Sequence, residues 1–240
     1  MQMIFLIRKR KIVSGLLAAV LLLVFSATVR YYKTEAVFRA TGETTVRVIL
    51  DPGHGGEDGG AVAADGTAES GINLAIALQL RELFRFCGED PLMTRITDIS
   101  IHSDDAETIR QKKVSDLKNR VALINTNPQA VLISIHQNSL PEAPSVHGAQ
   151  AFYNVVTGAD AYADSIQTSL NRMINDRDKA AKQIPSSIYL MQNASVPAVL
   201  VECGFLSNSA ETAALQTEQH QMKLAMAILS GYYLTEEVSK

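Results

Sequence analysis

Three apolar segments of this chain each lead into a residue able to bind a metal or carry a proton. This recurrence constrains the fold more than any other feature. Val46 to Leu50 runs through Asp51-Pro52-Gly53 to His54, Val131 to Ile135 runs into His136, and Ala198 to Val201 runs into Glu202. Short apolar runs bounded by Gly, Pro and Asn read as buried strands. Strands apolar on both faces belong to parallel or mixed sheets covered by helices on each side. In such folds ligands bind beyond the carboxyl ends of the strands. Three chemically capable residues at three strand ends therefore predict one site at one edge of one sheet. The glycines beside His54 allow the backbone to approach a ligand closely.

Helical patterns separate the apolar runs. Ile72, Ile76, Leu80, Leu83 and Phe84 predict a helix over 70–86, and Ala163, Ile166, Leu170 and Ile174 predict another over 159–174. Helices are also expected over 117–126, ended by Asn127-Pro128, and over 217–234. Short strands are expected at 91–94, 148–153 and 188–191. Residues 99–115 are polar with mixed charges and read as an excursion or a weak helix. The alternation implies a single α/β domain, with a mostly parallel or mixed central sheet and helices on both faces.

The first 33 residues differ in kind. Arg8-Lys9-Arg10-Lys11 precedes Ile12 to Val29, an uncharged and mostly apolar run. At 1.5 Å per residue it reaches roughly 27 Å, enough for a bilayer core. The basic residues before it predict that the N-terminus stays inside and the remainder is exported. Residues 1–33 are thus expected to be a membrane anchor or signal helix, 34–45 a linker, and 46–238 the catalytic domain. Arg8, Lys9, Arg10, Lys11, Arg30 and Lys33 all fall in the first segment, which has no acidic residue, whereas the whole chain carries a net charge of −3. The remainder is therefore acidic and lacks the counterion-release term that binds nucleic acid. The two cysteines, Cys87 and Cys203, lie beside apolar segments and are expected to be buried free thiols.

Two histidines and a carboxylate, with a fourth position left to water, make an open catalytic zinc site. Imidazole favours Zn²⁺ over magnesium or calcium. A lone histidine at a strand end is commonly just a hydrogen-bonded polar residue, but His54 and His136 occupy matching positions. Spacing leaves the third ligand open among Glu57, Asp58 and Glu69. Glu202 ends a buried strand, where an unpaired carboxylate is costly unless solvated, paired or bound to metal; a second carboxylate is needed as general base in such a site. Asp51, before Pro52, is expected to order the loop by hydrogen bonding. His102 and His147 read as surface residues, and His220 has no assigned role.

The string VILDPGHGGEDGGAVAADGTAESGINLAIALQLRELF, followed in order by TRITD, LKNRVALIN, LISIHQNS, GAQAFY and VPAVLVECGFLSN, resembles the zinc-dependent N-acetylmuramoyl-L-alanine amidases of the amidase-3 type. The resemblance spans about residues 46–235. It implies His54, Glu69 and His136 as zinc ligands and Glu202 as the catalytic glutamate. It also implies cleavage of the amide between the lactyl group of N-acetylmuramic acid and the L-alanine of the peptidoglycan stem peptide. His136-Gln137-Asn138, where members often read His-Ala-Asn, is similar to the sporulation and germination amidases of that family. Those act on spore-cortex peptidoglycan and open the way to muramic-δ-lactam. Expected partners are peptidoglycan, a membrane through the N-terminal segment, and an accessory activator protein for which 99–115 is a candidate docking segment. The competing readings are a zinc exopeptidase and a non-catalytic wall-binding module; an open metal site with a spare carboxylate speaks against the latter.

Overall fold

The computed structural model describes residues 47–238, which build one mixed six-stranded sheet sandwiched between helices. In chain order the elements are β1 (Val48–Pro52), α1 (Glu69–Phe86), β2 (Leu92–Met93), α2 (Ile109–Asn125), β3 (Val131–Asn138), β4 (Gln150–Tyr153), α3 (Ala159–Met173), β5 (Lys182–Gln183), α4 (Tyr189–Asn193), β6 (Ala198–Phe205), α5 (Ser209–Leu215) and α6 (Glu218–Val238). The strand order is β2-β1-β3-β6-β4-β5. The first four of these run parallel, and β4 joins β6 antiparallel, carrying β5 beside it.

Period-two alternation along the strands fills two cores. Leu50, Ile133, Ile135, Val199 and Val201 pack with Ile76, Leu80 and Phe84 of α1, Ile166 of α3 and Ile228 of α6. Ile49, Leu132, Ala198 and Leu200 face the other way, against Ile124 of α2 and Leu190 and Met191 of α4. Each fully buried side chain of this kind contributes roughly 1.5–3 kcal/mol. Helices therefore cover both faces, as the apolar strands demand. Among the described residues, no helix is long and apolar enough to cross a membrane. The expected anchor segment 1–33 and most of the linker lie outside the described residues.

Several local expectations are corrected. The segment 188–191 is not a strand: Tyr189–Asn193 is a short helix whose Leu190 and Met191 are buried under the sheet. Four apolar-biased residues carry too little periodicity to separate strand from helix. The helix expected over 117–126 begins eight residues earlier, at Ile109, because Thr108 and Gln111 form a capping box. Its inward stripe is Asp116, Arg120 and Ile124, two charges and one apolar residue, so its pattern reads as solvated. The helix α5 was not expected; Asn208 caps it by accepting from the Ala210 and Glu211 amides. β3 and β6 extend to Asn138 and Phe205, which puts His136 and Glu202 inside strands rather than just past them. Of the two free cysteines, Cys203 is buried but Cys87, just beyond α1, is exposed.

Candidate metal centre

The strand β1 ends at Pro52, and the chain continues along β3 with the Gly53 amide donating to the Ile135 carbonyl (2.9 Å). A side chain on Gly53 would put its Cβ 2.2–2.7 Å from ring atoms of His136, so only glycine lets the loop lie against that imidazole. His54 follows in the left-handed region, with φ of 61°. For a non-glycine residue this conformation costs on the order of 1–3 kcal/mol and persists only where its surroundings impose it. Among the described residues it is the one non-glycine with positive φ.

Glu69 opens α1 and is buried. Its Oε1 accepts from the Gln137 amide (3.0 Å) and from Asn73 Nδ2 (3.1 Å), and its Oε2 accepts from the Ala61 amide (2.9 Å). The first turn of a helix favours a carboxylate electrostatically. Glu69 Oε1 lies 3.0 Å from His136 Nδ1, and Oε2 lies 3.4 Å from His54 Nε2. The two imidazoles meet edge to face with centroids 5.1 Å apart. One ligand atom from each of His54, Glu69 and His136 lies within 4.8 Å of the other two. Donors 2.0–2.2 Å from a tetrahedral zinc stand roughly 3.4 Å apart, so the group fits such an ion.

The surroundings favour a cation at this point. Burial would lower the His54 imidazole, but its bonds to Asp58 and Glu69 outweigh that and raise it to about 9. Burial would raise the Glu69 carboxyl, yet His136 and His54 hold it far below the ordinary range. A metal bound by these groups would have to displace their protons. Asp58 Oδ2 holds His54 Nδ1 at 2.9 Å, and this bond keeps the Asp58 carboxyl well below its usual value. That bond leaves Nε2 turned toward Glu69, the carboxylate–imidazole arrangement that orients metal-bound histidines.

Glu202 stands directly opposite His136 in the β3–β6 register, immediately before an irregularity of β3 between His136 and Asn138. Its Oε2 is buried without a hydrogen-bond partner. A buried polar atom left in this state is uncommon and marks a place where a water, an ion or a reacting group can be accommodated. Burial, with the Glu69 charge in support, pushes the Glu202 carboxyl up to about 7 despite the opposing effect of His136 and His54.

The remaining candidates separate cleanly. Glu57 pairs with Lys112 at the surface (2.6 Å), away from the ligand group. Asp51 binds no histidine; its carboxylate accepts from Thr94 Oγ1 (2.7 Å), Ser134 Oγ (2.7 Å) and Arg120 Nη1 (2.6 Å). His102 meets Ser100, and His147 meets Asp176. Three residues around the site were not foreseen as contributors: Asn73, Arg95 and Arg120. Arg95 and Arg120 lie inside the TRITD and LKNRVALIN strings, the one signal that could have raised them.

The family profile of N-acetylmuramoyl-L-alanine amidases matches residues 48–232. A germination-specific N-acetylmuramoyl-L-alanine amidase of Bacillus subtilis is 37% identical over 193 residues, which are 79% of this chain and 80% of that protein. The N-acetylmuramoyl-L-alanine amidase AmiA of Escherichia coli is 32% identical, over 77% of this chain and 74% of that protein. Among solved structures, the CwlD amidase of Clostridioides difficile in complex with the GerS lipoprotein superposes with a TM-score of 0.76 at 38% identity. That match covers 80% of this chain and 99% of the CwlD chain.

Proposed function

Because this chain belongs to the N-acetylmuramoyl-L-alanine amidase family, and is thus an amidase of peptidoglycan, we propose that it is a zinc enzyme. The bond it cuts is the amide between the lactyl group of N-acetylmuramic acid and L-alanine. The observation that carries this reading is the group His54, Glu69 and His136 beside Glu202, whose Oε2 is buried without a partner. His54, Glu69 and His136 would hold the ion, with Asp58 orienting His54 from behind. Zinc in that position would supply Lewis acidity, polarising the amide carbonyl and bringing the pKa of a water to about 7.

The chain's own residues do the rest. Glu202 takes a proton from the attacking water and delivers it to the nitrogen of the departing L-alanine. A carboxylate set beside the attacked amide can both accept and return that proton. Its unpartnered Oε2 leaves one oxygen free for the exchange. Asp51 is committed to Arg120, Thr94 and Ser134, and so takes no part in proton transfer.

Likeness to a germination-specific amidase supports a finer reading. The wall acted on is that of a forming spore, where removal of the stem peptide precedes muramic-δ-lactam formation. Residues 1–33 serve as a membrane anchor or signal and 34–45 as a linker to the exported catalytic domain. Because the CwlD amidase is known in complex with a lipoprotein, an accessory protein is proposed for this chain too, at the segment 99–115.

The test is to incubate zinc-loaded protein with intact muropeptides and, in parallel, with free stem peptides. Release of whole stem peptide from muramic acid is expected, and it is lost in Glu202→Ala with the fold intact. Trimming of free peptides with muropeptides untouched would instead establish an exopeptidase.

A further inference from the structure

Two buried arginines converge on the backbone that presents the metal ligands. Arg95 and Arg120 are 3% and 1% exposed. Arg95 Nε donates to the Pro52 carbonyl (2.9 Å), and its Nη1 donates to Thr97 (3.0 Å). Its Nη2 is shared between the carbonyls of Gly53 (3.0 Å) and Ser70 (2.9 Å). Gly53 adjoins His54, and Ser70 adjoins Glu69. One guanidinium nitrogen therefore ties together the two segments that carry the first two ligands. Arg120 Nη2 donates to the carbonyl of His54 itself (2.7 Å), and its Nη1 donates to Pro52 (2.8 Å).

These bonds are unusual in what they leave out. The nearest carboxylate to Arg95, Asp98, stands 3.9 Å from Nη1, so the side chain makes its hydrogen bonds to carbonyl oxygens alone. A buried cation so arranged gives up the strong carboxylate bonds that ordinarily compensate its desolvation. Arg120 does have acidic partners, Asp51 (2.6 Å) and Asp116 (2.7 Å), and these fix its fork toward the loop. Asp116 in turn accepts from the Ile101 amide (2.7 Å). The carbonyls of residues 52, 53 and 54 thus all receive guanidinium donors, and it is here that His54 adopts positive φ.

We infer that Arg95 and Arg120 are positioning residues for the metal centre, holding His54 in its left-handed conformation and fixing its distance from Glu69. The inference rests on the metal reading of His54, Glu69 and His136. Lysine keeps the charge but offers a single donor nitrogen in place of the planar fork. It cannot span the Pro52, Gly53 and Ser70 carbonyls together. Outer groups that orient ligands typically set metal affinity by ten- to a hundred-fold.

The experiment compares the full-length wild type with Arg95→Lys, Arg120→Lys and the remote core variant Ile228→Ala. Ile228, on α6, is buried in the apolar core and carries no group that could bond to the ligand residues. Zinc affinity is read by competition with a chromophoric chelator, coordination by the visible spectrum of the cobalt-loaded protein, and folding by circular dichroism. Arg95→Lys is expected to remain folded, to bind zinc at least ten-fold more weakly and to show an altered cobalt spectrum. Ile228→Ala is expected to melt earlier yet bind as wild type. If Arg95→Lys does not fold, Arg120→Lys is judged by the same criteria. Wild-type affinity and spectrum in a folded arginine variant overturn the inference, as does equal weakening in Ile228→Ala. A wild type that binds no zinc sinks the metal reading itself, and the inference with it.

Discussion

His136 and Glu202 face one another across the parallel pair β3 and β6. One imidazole of the ligand group and the proposed base are thereby fixed by a single ladder of backbone hydrogen bonds. That ladder sits at the centre of the sheet order, where neither strand is an edge. Glu202→Gln keeps the volume and the strand but removes the base. Hydrolysis of muropeptides is expected to fall by about 10²- to 10⁴-fold, with zinc content unchanged by elemental analysis. A variant with near-normal turnover would remove Glu202 from the chemistry.

Asp58 bonds His54 Nδ1 at 2.9 Å and would act on a bound metal through that imidazole. Asp58→Asn can still hydrogen-bond but no longer carries the charge that strengthens the imidazole. Zinc affinity is expected to drop by about 10- to 100-fold, while activity at saturating zinc recovers most of its value. Titration with a competing chelator measures the first, and zinc-dependent kinetics the second.

Gly53→Ala places a methyl group inside the His136 ring contact. The backbone of Gly53 is outside the left-handed region, so alanine tolerates the conformation and the clash alone is tested. The ring must move, and metal binding is expected to weaken by about ten-fold or more in a protein whose far-ultraviolet spectrum is unchanged. Wild-type affinity would mean that His136 has room to adjust.

Acid stability follows from Asp51. Burial would raise its carboxyl, but Arg120 and the hydroxyls of Thr94 and Ser134 outweigh burial and hold it at about 2, against 3.8 when unperturbed. A depressed value in the folded state means the stabilisation is fully present above about pH 4. It is lost as pH falls from there toward 2, by about 2 kcal/mol. Denaturant melts of the metal-free protein should show this slope, and Asp51→Asn should flatten it while lowering stability at neutral pH. An unchanged slope would assign acid unfolding to other groups.

How far the sequence reaches can be seen at particular residues. That His54, His136 and Glu202 follow three apolar strands of one sheet was legible, because apolar runs bounded by Gly, Pro and Asn have few other readings, but His136 and Glu202 proved to lie inside β3 and β6 rather than past their ends. Choosing Glu69 over Glu57 and Asp58 needed the family resemblance, since all three lie within one loop and its helix start. The structure separates them by partner: Glu57 turns to Lys112, Asp58 backs His54, and Glu69 lies between both imidazoles. Arg95 and Arg120 were not legible from pattern. Their contacts to residues 52–54 span separations of 42 to 68 positions; Arg95 sits in the loop after β2, and Arg120 lies on a face of α2 that reads as polar. The capping box at Thr108 and Gln111 was present in the sequence and would have placed the start of that helix.

The most direct test of the account is hydrolysis of purified muropeptides by the zinc-loaded protein in heavy-oxygen water, followed by mass analysis of both products. Attack at the lactyl carbonyl puts one heavy oxygen on the carboxylate regained by N-acetylmuramic acid and leaves the intact stem peptide, with a free L-alanine amine, unlabelled. Label on a carboxylate within the peptide, with the lactyl amide still intact, would contradict the assignment of the bond and with it the role given to this site.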